Sequence, residues 1–487
     1  MATPPNILWI CTDQQRWDTL GCYGNRFVHT PVLDQLSAGG VHFQNAFCQS
    51  PVCTPSRASF LTGRYPRTTR CRQNGQEIPE DEILVTKLLA DAGYTCGLAG
   101  KLHLSPCHPS VCPVEERRID DGYSEFLWSH HSGNGWETNA YHQWLKGKGK
   151  RYAERPHPDS PHVAFGPDVD DHQTTWCAEM ASNFIRKYAD PGTPWLYSVN
   201  FFDPHHPFDA PESLMARYEP ILGDIPLPAY TLGELEGKPP WQLREHSRAY
   251  GGYPFAEMSD MDHRLVRASC FAMCDLIDQQ VGRMLQALEE TGQLENTLVV
   301  FMSDHGEMLG DHGIYLKGAH FYEPAVHVPL ILSMPGTLPA QEIHELAELT
   351  DLAPTFLEAA GLPMHLGMQG RSIWEGLQDP GVDGVGREDV YCEYYNAMPA
   401  KWDEWHTGHK DSATQDHATM LRTATHKIVV PHGHDCGELY DLGKDPCETR
   451  NLWGEPAHAT TQLDLMKRLT DRMAYTVDSL PGRKAIW

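Results

Sequence analysis

The sequence predicts an α/β protein: a large N-terminal domain on a mostly parallel central sheet flanked by helices, then a smaller α+β domain. Three observations carry that expectation. Short apolar runs at Ile7–Thr12, Trp195–Phe202 and Thr297–Ser303 have the near-continuous hydrophobicity of strands buried on both faces. Amphipathic helical patterns alternate with them, the order expected of βαβ units. Each run ends in a polar cluster with acids or histidines, and ligands of open α/β sheets gather past the carboxyl ends of the strands.

In chain order, the first run opens onto Asp13-Gln14-Gln15-Arg16. The stretch from Cys53 to Gly63 reads as a short helix that Pro55 begins and Gly63 ends. Proline lacks the N–H that would be unpaired in a first turn, and glycine suits the left-handed C-cap. Cys53 then faces the positive end of the helix dipole with Arg57 one turn on, an anion site with a nucleophile inside it. A helix is expected over Asp81–Ala92, stopped by Gly93. Read as a strand, Gly100-Lys101-Leu102-His103 turns Lys101 and His103 to one face.

The second run ends in Asp203-Pro204-His205-His206-Pro207. Residues 205–260, rich in Pro, Gly and Tyr and without a period, read as a surface excursion that shapes a substrate pocket. Leu265–Glu290 reads as a long helix with Ile277, Val281, Met284 and Leu288 on one stripe. The third run leads into Asp304-His305-Gly306, and a further helix opens at Asp351 and ends near Gly361. A composition shift at Asp379–Gly384 marks a linker and divides the chain into 1–380 and 381–487. Beyond it, strands at Val390–Tyr395, Met420–Thr423, His426–Val430 and Glu438–Leu442, with a helix over Thr460–Thr476, make a small antiparallel sheet and its cover.

A length of 487 residues exceeds one small core. The formal charge of −26 argues against nucleic acid and against an anionic membrane as partner, since both call for Lys and Arg. No basic leader precedes the first strand, and no apolar run reaches the ~18 residues of a membrane span. The 14 cysteines are therefore read as reduced thiols of a cytoplasmic protein. Cys71, Cys96, Cys107 and Cys112 lack a C-x2-C spacing, so no zinc site is expected among them.

Asp13 and Asp304 are carboxylates at two strand ends, with Gln14 and His305 beside them. Two carboxylates and an amide oxygen suit a hard divalent cation, and the nitrogen of His305 keeps manganese and magnesium open beside calcium. Cys53-Thr54-Pro55-Ser56-Arg57, continuing to Leu61-Thr62-Gly63, resembles without a gap the signature of the type I sulfatases, Cys-x-Pro-Ser-Arg-x-x-x-Leu-x-Gly. That family is the formylglycine-dependent branch of the alkaline phosphatase superfamily. Gly100-Lys101-Leu102-His103, Pro204-His205-His206-Pro207-Phe208 and Ser303–His312 resemble its other motifs, and the resemblance runs from Asn6 to Asn451.

The resemblance implies an alkaline-phosphatase-like fold and a Cys53 oxidised to formylglycine by a maturation enzyme. It implies one divalent cation, calcium first, held by Asp13, Gln14, modified Cys53, Asp304 and His305. Lys101 and Lys317 would bind sulfate, His103 would contact the nucleophile, and His205 would face the leaving group. Arg57 would support the nucleophile, so that an acidic protein gathers its positive charge around an anionic ester. Asn74 is read either as pocket lining or as a turn residue, and His206, Asp311 and His312 as scaffold.

The implied activity is hydrolysis of sulfate monoesters, arylsulfatase-like. One hydroxyl of the hydrated aldehyde attacks sulfur, His205 or Lys317 assists the departing oxygen, and the hemiacetal, deprotonated towards His103, expels sulfate. The alternatives are a phosphonate monoester or phosphodiester hydrolase with the same nucleophile, and a non-catalytic binder of sulfated ligands. In the phosphonate group neutral side chains replace the Lys-x-His pair, so Lys101 and His103 favour a sulfate monoester. Aryl, alkyl, choline and sugar leaving groups stay open, with Trp128, Trp136 and Tyr253 read as an apolar wall or as core. The apolar-ended tail Pro481–Trp487 is read as a docking segment for a second copy of the chain.

Overall fold

The near-continuous apolar runs fold as expected into the centre of a nine-stranded sheet. The computed structural model describes residues 4–482 except 109, 113, 132, 134–135, 137, 191, 250–251, 380–383 and 396–416. The centre of the expected linker, Pro380 to Asp383, and the tail from Arg483 to Trp487 lie outside the described residues. The strands are β1 (Asn6–Thr12), β2 (Val41–Phe47), β3 (Thr95–Gly100), β4 (Tyr123–Trp128), the two-residue β5 (Arg155–Pro156) and β6 (Ala164–Phe165), β7 (Trp195–Asn200) and β8 (Thr297–Ser303). They continue with the two-residue β9 (His327–Val328), β10 (Leu330–Ser333), β11 (Gln341–Glu348), β12 (Asp389–Tyr395), β13 (His417–Thr423), β14 (His426–Pro431) and β15 (Glu438–Asp441).

The large sheet runs β11-β2-β10-β8-β1-β7-β3-β4, with β9 paired to β2. From β8 to β4 every pairing is parallel, as is β2 with β11; β10 runs against both its neighbours. Alternate residues of the central strands feed two cores. Ile7, Trp9, Val300 and Met302 join the core on one face, and Leu8, Ile10, Val299 and Phe301 the core on the other. This two-sided burial is what made β1, β7 and β8 read as unbroken apolar runs.

The helix Asp260–Glu290 is locked at its start by a capping box between Ser259 and Asp262. Its Ile277, Val281, Met284 and Leu288 lie in the second core beside the helix Gln173–Lys187. The helix expected from Asp81 begins later, at Val85, because Leu84 enters the core in extended backbone while Ile83 is exposed. Residues 205–260 are not structureless. Short helices at Glu212–Met215 and Pro240–Arg248 break the segment, and Phe208, Met215, Tyr218 and Tyr253 pack in a third core. Tyr253 is therefore core, as are Trp128 and Trp136, which meet edge to face beside Cys112.

The C-terminal strands make one antiparallel sheet, β12-β13-β14-β15. The helix Ala459–Tyr475 covers one face through Leu465 and Leu469. The other face, with Val390, Cys392, Met420 and Val429, merges into the first core of the large sheet. Among the described residues no helix is long and apolar enough to cross a membrane.

Candidate active site

Strand register builds the floor of the site. Thr12 pairs with Ser303, so Asp13 and Asp304 leave β1 and β8 side by side. Gly100 pairs with Asn200, and Asn200 with Cys11, which sets Lys101 at the same sheet edge. Glycine is required at position 100: its φ is +109°, and a Cβ there would lie 1.9 Å from the Asn200 carbonyl oxygen. The strand ends at this residue, so the expected alternation of Lys101 and His103 does not hold. His103 instead turns through a left-handed φ of 58°, and Glu116 takes the backbone N–H groups of His103 and Leu104 at 2.8 Å each.

The helix carrying Cys53 is Cys53–Thr62, beginning two residues earlier than Pro55 suggested, and all ten of its residues are buried. Cys53 is its first residue, and Gly63 closes it at φ 67° as expected. Its free end donates less than a bare helix start would, because Asn74 Oδ1 accepts the Thr54 N–H at 2.9 Å. Asn74 is thus a cap supplied from a distant loop. Positive charge at Cys53 comes instead from side chains.

Lys317 Nζ lies 2.8 Å from Cys53 Sγ and 2.7 Å from His205 Nε2. Lys101 Nζ is paired with Asp13 Oδ2. Arg57 donates through Nε to Asp304 Oδ2 at 2.8 Å and through Nη1 to the Lys101 carbonyl at 2.8 Å, with Asp13 Oδ2 at 3.4 Å. Arg57 therefore clamps the two strand-end carboxylates rather than touching residue 53. Burial raises the Cys53 thiol pKa and Asp13 adds to that, yet Lys101, Lys317 and His305 outweigh both and lower it to about 7. Burial works against the Asp13 carboxylate too, and Lys101, Lys317 and Arg57 still hold it well below the usual range. Burial, with Lys317 beside it, keeps His205 neutral by pushing its pKa well down.

The donor set fits a hard divalent cation. Asp13, Cys53, Asp304 and His305 bring ligand atoms within 4.8 Å of one another, all buried. Gln14 Oε1 is buried with no hydrogen-bond partner, although the same amide donates through Nε2 to Glu307 Oε2. An amide with one end anchored and its oxygen unsatisfied is the arrangement a cation ligand needs. Sequence reasoning missed Glu307, which also accepts the backbone N–H groups of Leu309 and Leu316. It also left His206 as scaffold, whereas His206 Nδ1 sits 3.3 Å from Gln14 Nε2 and its ring stacks on His205 at 4.0 Å. Glu307 occupies an open position of the Ser303–His312 motif, and only its burial with Gln14 reveals it. Asp311, held by Arg16 and Arg267, and His312, stacked on Tyr322, stand behind the site as expected.

The fold and this strand-edge cluster define a class. The chain belongs to the sulfatase family, whose model, described as Sulfatase, matches residues 5–362. A second model, for the C-terminal region of N-sulphoglucosamine sulphohydrolase, matches residues 310–474. Among curated relatives, the iduronate 2-sulfatase of Mus musculus is 30% identical over 93% of this chain and 91% of its own length. The arylsulfatase of Clostridium perfringens is 27% identical over 92% of this chain and 90% of its own. Among solved structures, a phosphonate monoester hydrolase from Silicibacter pomeroyi superposes with a TM-score of 0.83 at 25% identity, covering 99% of this chain and 98% of the other.

Proposed function

We propose that the protein hydrolyses sulfate monoesters at residue 53, with a formylglycine made there from Cys53 as the nucleophile. The observation that carries this reading is the Lys317 ammonium, 2.8 Å from Cys53 Sγ and 2.7 Å from His205 Nε2. One cation thereby spans the position of nucleophilic attack and a neutral imidazole beside it.

Asp13, Gln14, Asp304 and His305 would hold the divalent cation together with residue 53, and that ion would supply charge neutralisation for the ester and acidify the nucleophile. Formylglycine, when present, offers a hydrated aldehyde whose two hydroxyls allow attack on sulfur and later release of sulfate. The chain's own groups do the rest. Lys101 and Lys317 face the sulfate oxygens in a pocket whose walls are buried, where a fixed charge acts more strongly than in water. Arg57 keeps Asp13 and Asp304 aligned. His205, which accepts from Lys317 through Nε2, is placed to relay that proton towards the departing oxygen. His103, kept neutral by burial and by Lys101, offers an imidazole lone pair that would take a proton.

A second reading, hydrolysis of phosphonate monoesters, is favoured by the likeness to the phosphonate monoester hydrolase structure. Lys101 and His103 weigh against it as the principal activity. The test is turnover of matched aryl sulfate and aryl phosphonate esters, with mass spectrometry of the peptide containing residue 53. Faster sulfate turnover with an aldehyde mass is expected. An active preparation bearing only the thiol sinks the nucleophile, and faster phosphonate turnover reverses the order of the readings.

A further inference from the structure

A second set of metal-ligating side chains lies beside the strand-edge cluster and apart from it. His103, Cys107 and His130 bring ligand atoms within 4.8 Å of one another. The parallel pairing of β3 with β4 places Gly100 opposite Trp128, so the loops that leave the two strands carry His103 and His130 to one place. Their ring centroids are 4.6 Å apart at an interplanar angle of 80°.

These rings are unsatisfied. His103 is only 7% exposed, and its Nδ1 is buried without a hydrogen-bond partner. Both ring nitrogens of His130 are buried and unpartnered as well. Buried polar atoms are nearly always paired, so two rings with orphan nitrogens, each offering one nitrogen within 4.8 Å of the Cys107 sulfur, call for a ligand. Burial, reinforced by the Lys101 ammonium, holds both imidazoles neutral, which leaves each with a lone pair.

The thiol is held in place. Cys107 Sγ contacts the Ser105 carbonyl at 3.2 Å and Glu116 Oε2 at 3.3 Å. Glu116 also accepts from Trp128 Nε1 and from the two backbone N–H groups at His103 and Leu104, so one carboxylate fixes the thiol, the loop and the strand together. Cys112 stands in hydrogen-bond contact with Cys107.

We propose that His103, Cys107 and His130 form a second metal site, selective for a thiophilic divalent cation such as Zn2+, and that filling it inhibits the enzyme by withdrawing His103 from the sulfate pocket. Two nitrogens and one sulfur match the borderline-soft cations, whereas the carboxylate-rich set around Asp13 keeps the hard one. On binding, the Cys107 S–H bond breaks, a metal–thiolate bond forms, and the proton leaves to solvent, with no change of oxidation state. The inhibitory half rests on the proposed function; the site itself does not. The sequence spacing hid this cluster, because its ligands come from two loops and share no C-x2-C pair.

Cobalt(II) is the probe, used on the full chain with calcium saturating and with a non-thiol reductant. A Cys53→Ala background removes the thiol at the hard site. We expect a thiolate-to-cobalt charge-transfer band in Cys53→Ala that is lost in Cys53→Ala/Cys107→Ser. His130→Gln, on the opposite loop, is expected to weaken cobalt binding about tenfold or more. No band, or a band that survives loss of Cys107, overturns the site. In the matured enzyme, Cys107→Ser should retain turnover and melting temperature while raising the zinc concentration for half-inhibition about tenfold or more. Unchanged zinc inhibition beside a Cys107-dependent band overturns the inhibitory half alone. Absence of any sulfate ester turnover would instead refute the proposed function, and the cobalt band would still decide the site.

Discussion

At the carboxyl edge of the large sheet, Lys317 lies against a thiol and an imidazole, and Gln14 Oε1 has no partner. At the seam between the two sheets, Glu348 is met by Arg472 at 2.6 Å, by Arg387 at 3.5 Å, by the Tyr65 hydroxyl and by the Tyr391 N–H at 2.8 Å. Nearby, Lys427 lies between Glu323 at 2.8 Å and Glu448 at 2.7 Å, and Arg67 pairs with Glu393 at 2.7 Å. Both regions bury charge, and they differ in how it is answered. Seam charges are matched to one another, so breaking one strands its partner in low dielectric. At the sheet edge Arg57 and Lys101 answer Asp13 and Asp304. Lys317, however, lies against a thiol and a neutral imidazole and Gln14 Oε1 has no partner, an arrangement the rest of the fold must hold in place for a ligand.

Four experiments press on that contrast. The largest effect is expected from Lys317→Ala, which should lower sulfate ester turnover by about a thousandfold or more, as removal of fixed transition-state charge does. Its thermal midpoint should be unchanged or higher, and a parallel loss of fold would break the distinction between the regions. Arg387→Ala at the seam should do the reverse. It leaves Glu348 and Asp351 short of their partner, with an expected loss of about 3–5 kcal/mol in urea unfolding. The kcat per folded molecule should be unaltered.

Glu307→Gln tests whether the Gln14 amide is oriented from behind. Calcium affinity measured calorimetrically should fall about 10–100-fold, because a support behind the ligand is lost while every ligand stays. The smallest effect concerns Asp203, whose carboxyl burial pushes up to about 7 against only the Thr174 hydroxyl bond. A raised folded-state pKa means that ionisation opposes folding progressively as pH climbs from the usual carboxyl range through about 7. Asp203→Asn should therefore raise the melting temperature more at pH 8 than at pH 5. An equal gain at both would show that Asp203 is already ionised in the folded protein.

Much of the fold was legible because burial leaves a local imprint. The unbroken apolar runs of β1, β7 and β8 and the stripe on Asp260–Glu290 exist because those residues are covered by the cores. Elements whose form depends on distant partners were not legible. Ile83 looked helical until the structure exposed it, and His103 left the strand pattern because Glu116 captures its backbone. Asn74 and Glu307 act on residues far away in the chain, Thr54 and Gln14, and nothing in their neighbours announces it.

The sequence by itself determined the chemical inventory at the sheet edge: Cys53 at a helix start, acids after β1 and β8, and Lys101, His205 and Lys317 at the motif positions. Most of these groups can be read locally because Cys53, Asp13, Asp304 and Lys101 each sit at the end of the strand or helix that delivers them, whereas His205 and Lys317 are read from their motifs. Only the tertiary structure decided how they face one another. Strand register aligned Asp13 with Asp304, Glu307 turned the Gln14 amide, and two loops brought His103, Cys107 and His130 together. These are contacts between segments far apart in the chain, and the free energy that selects them belongs to the packed sheet as a whole rather than to any one stretch of it.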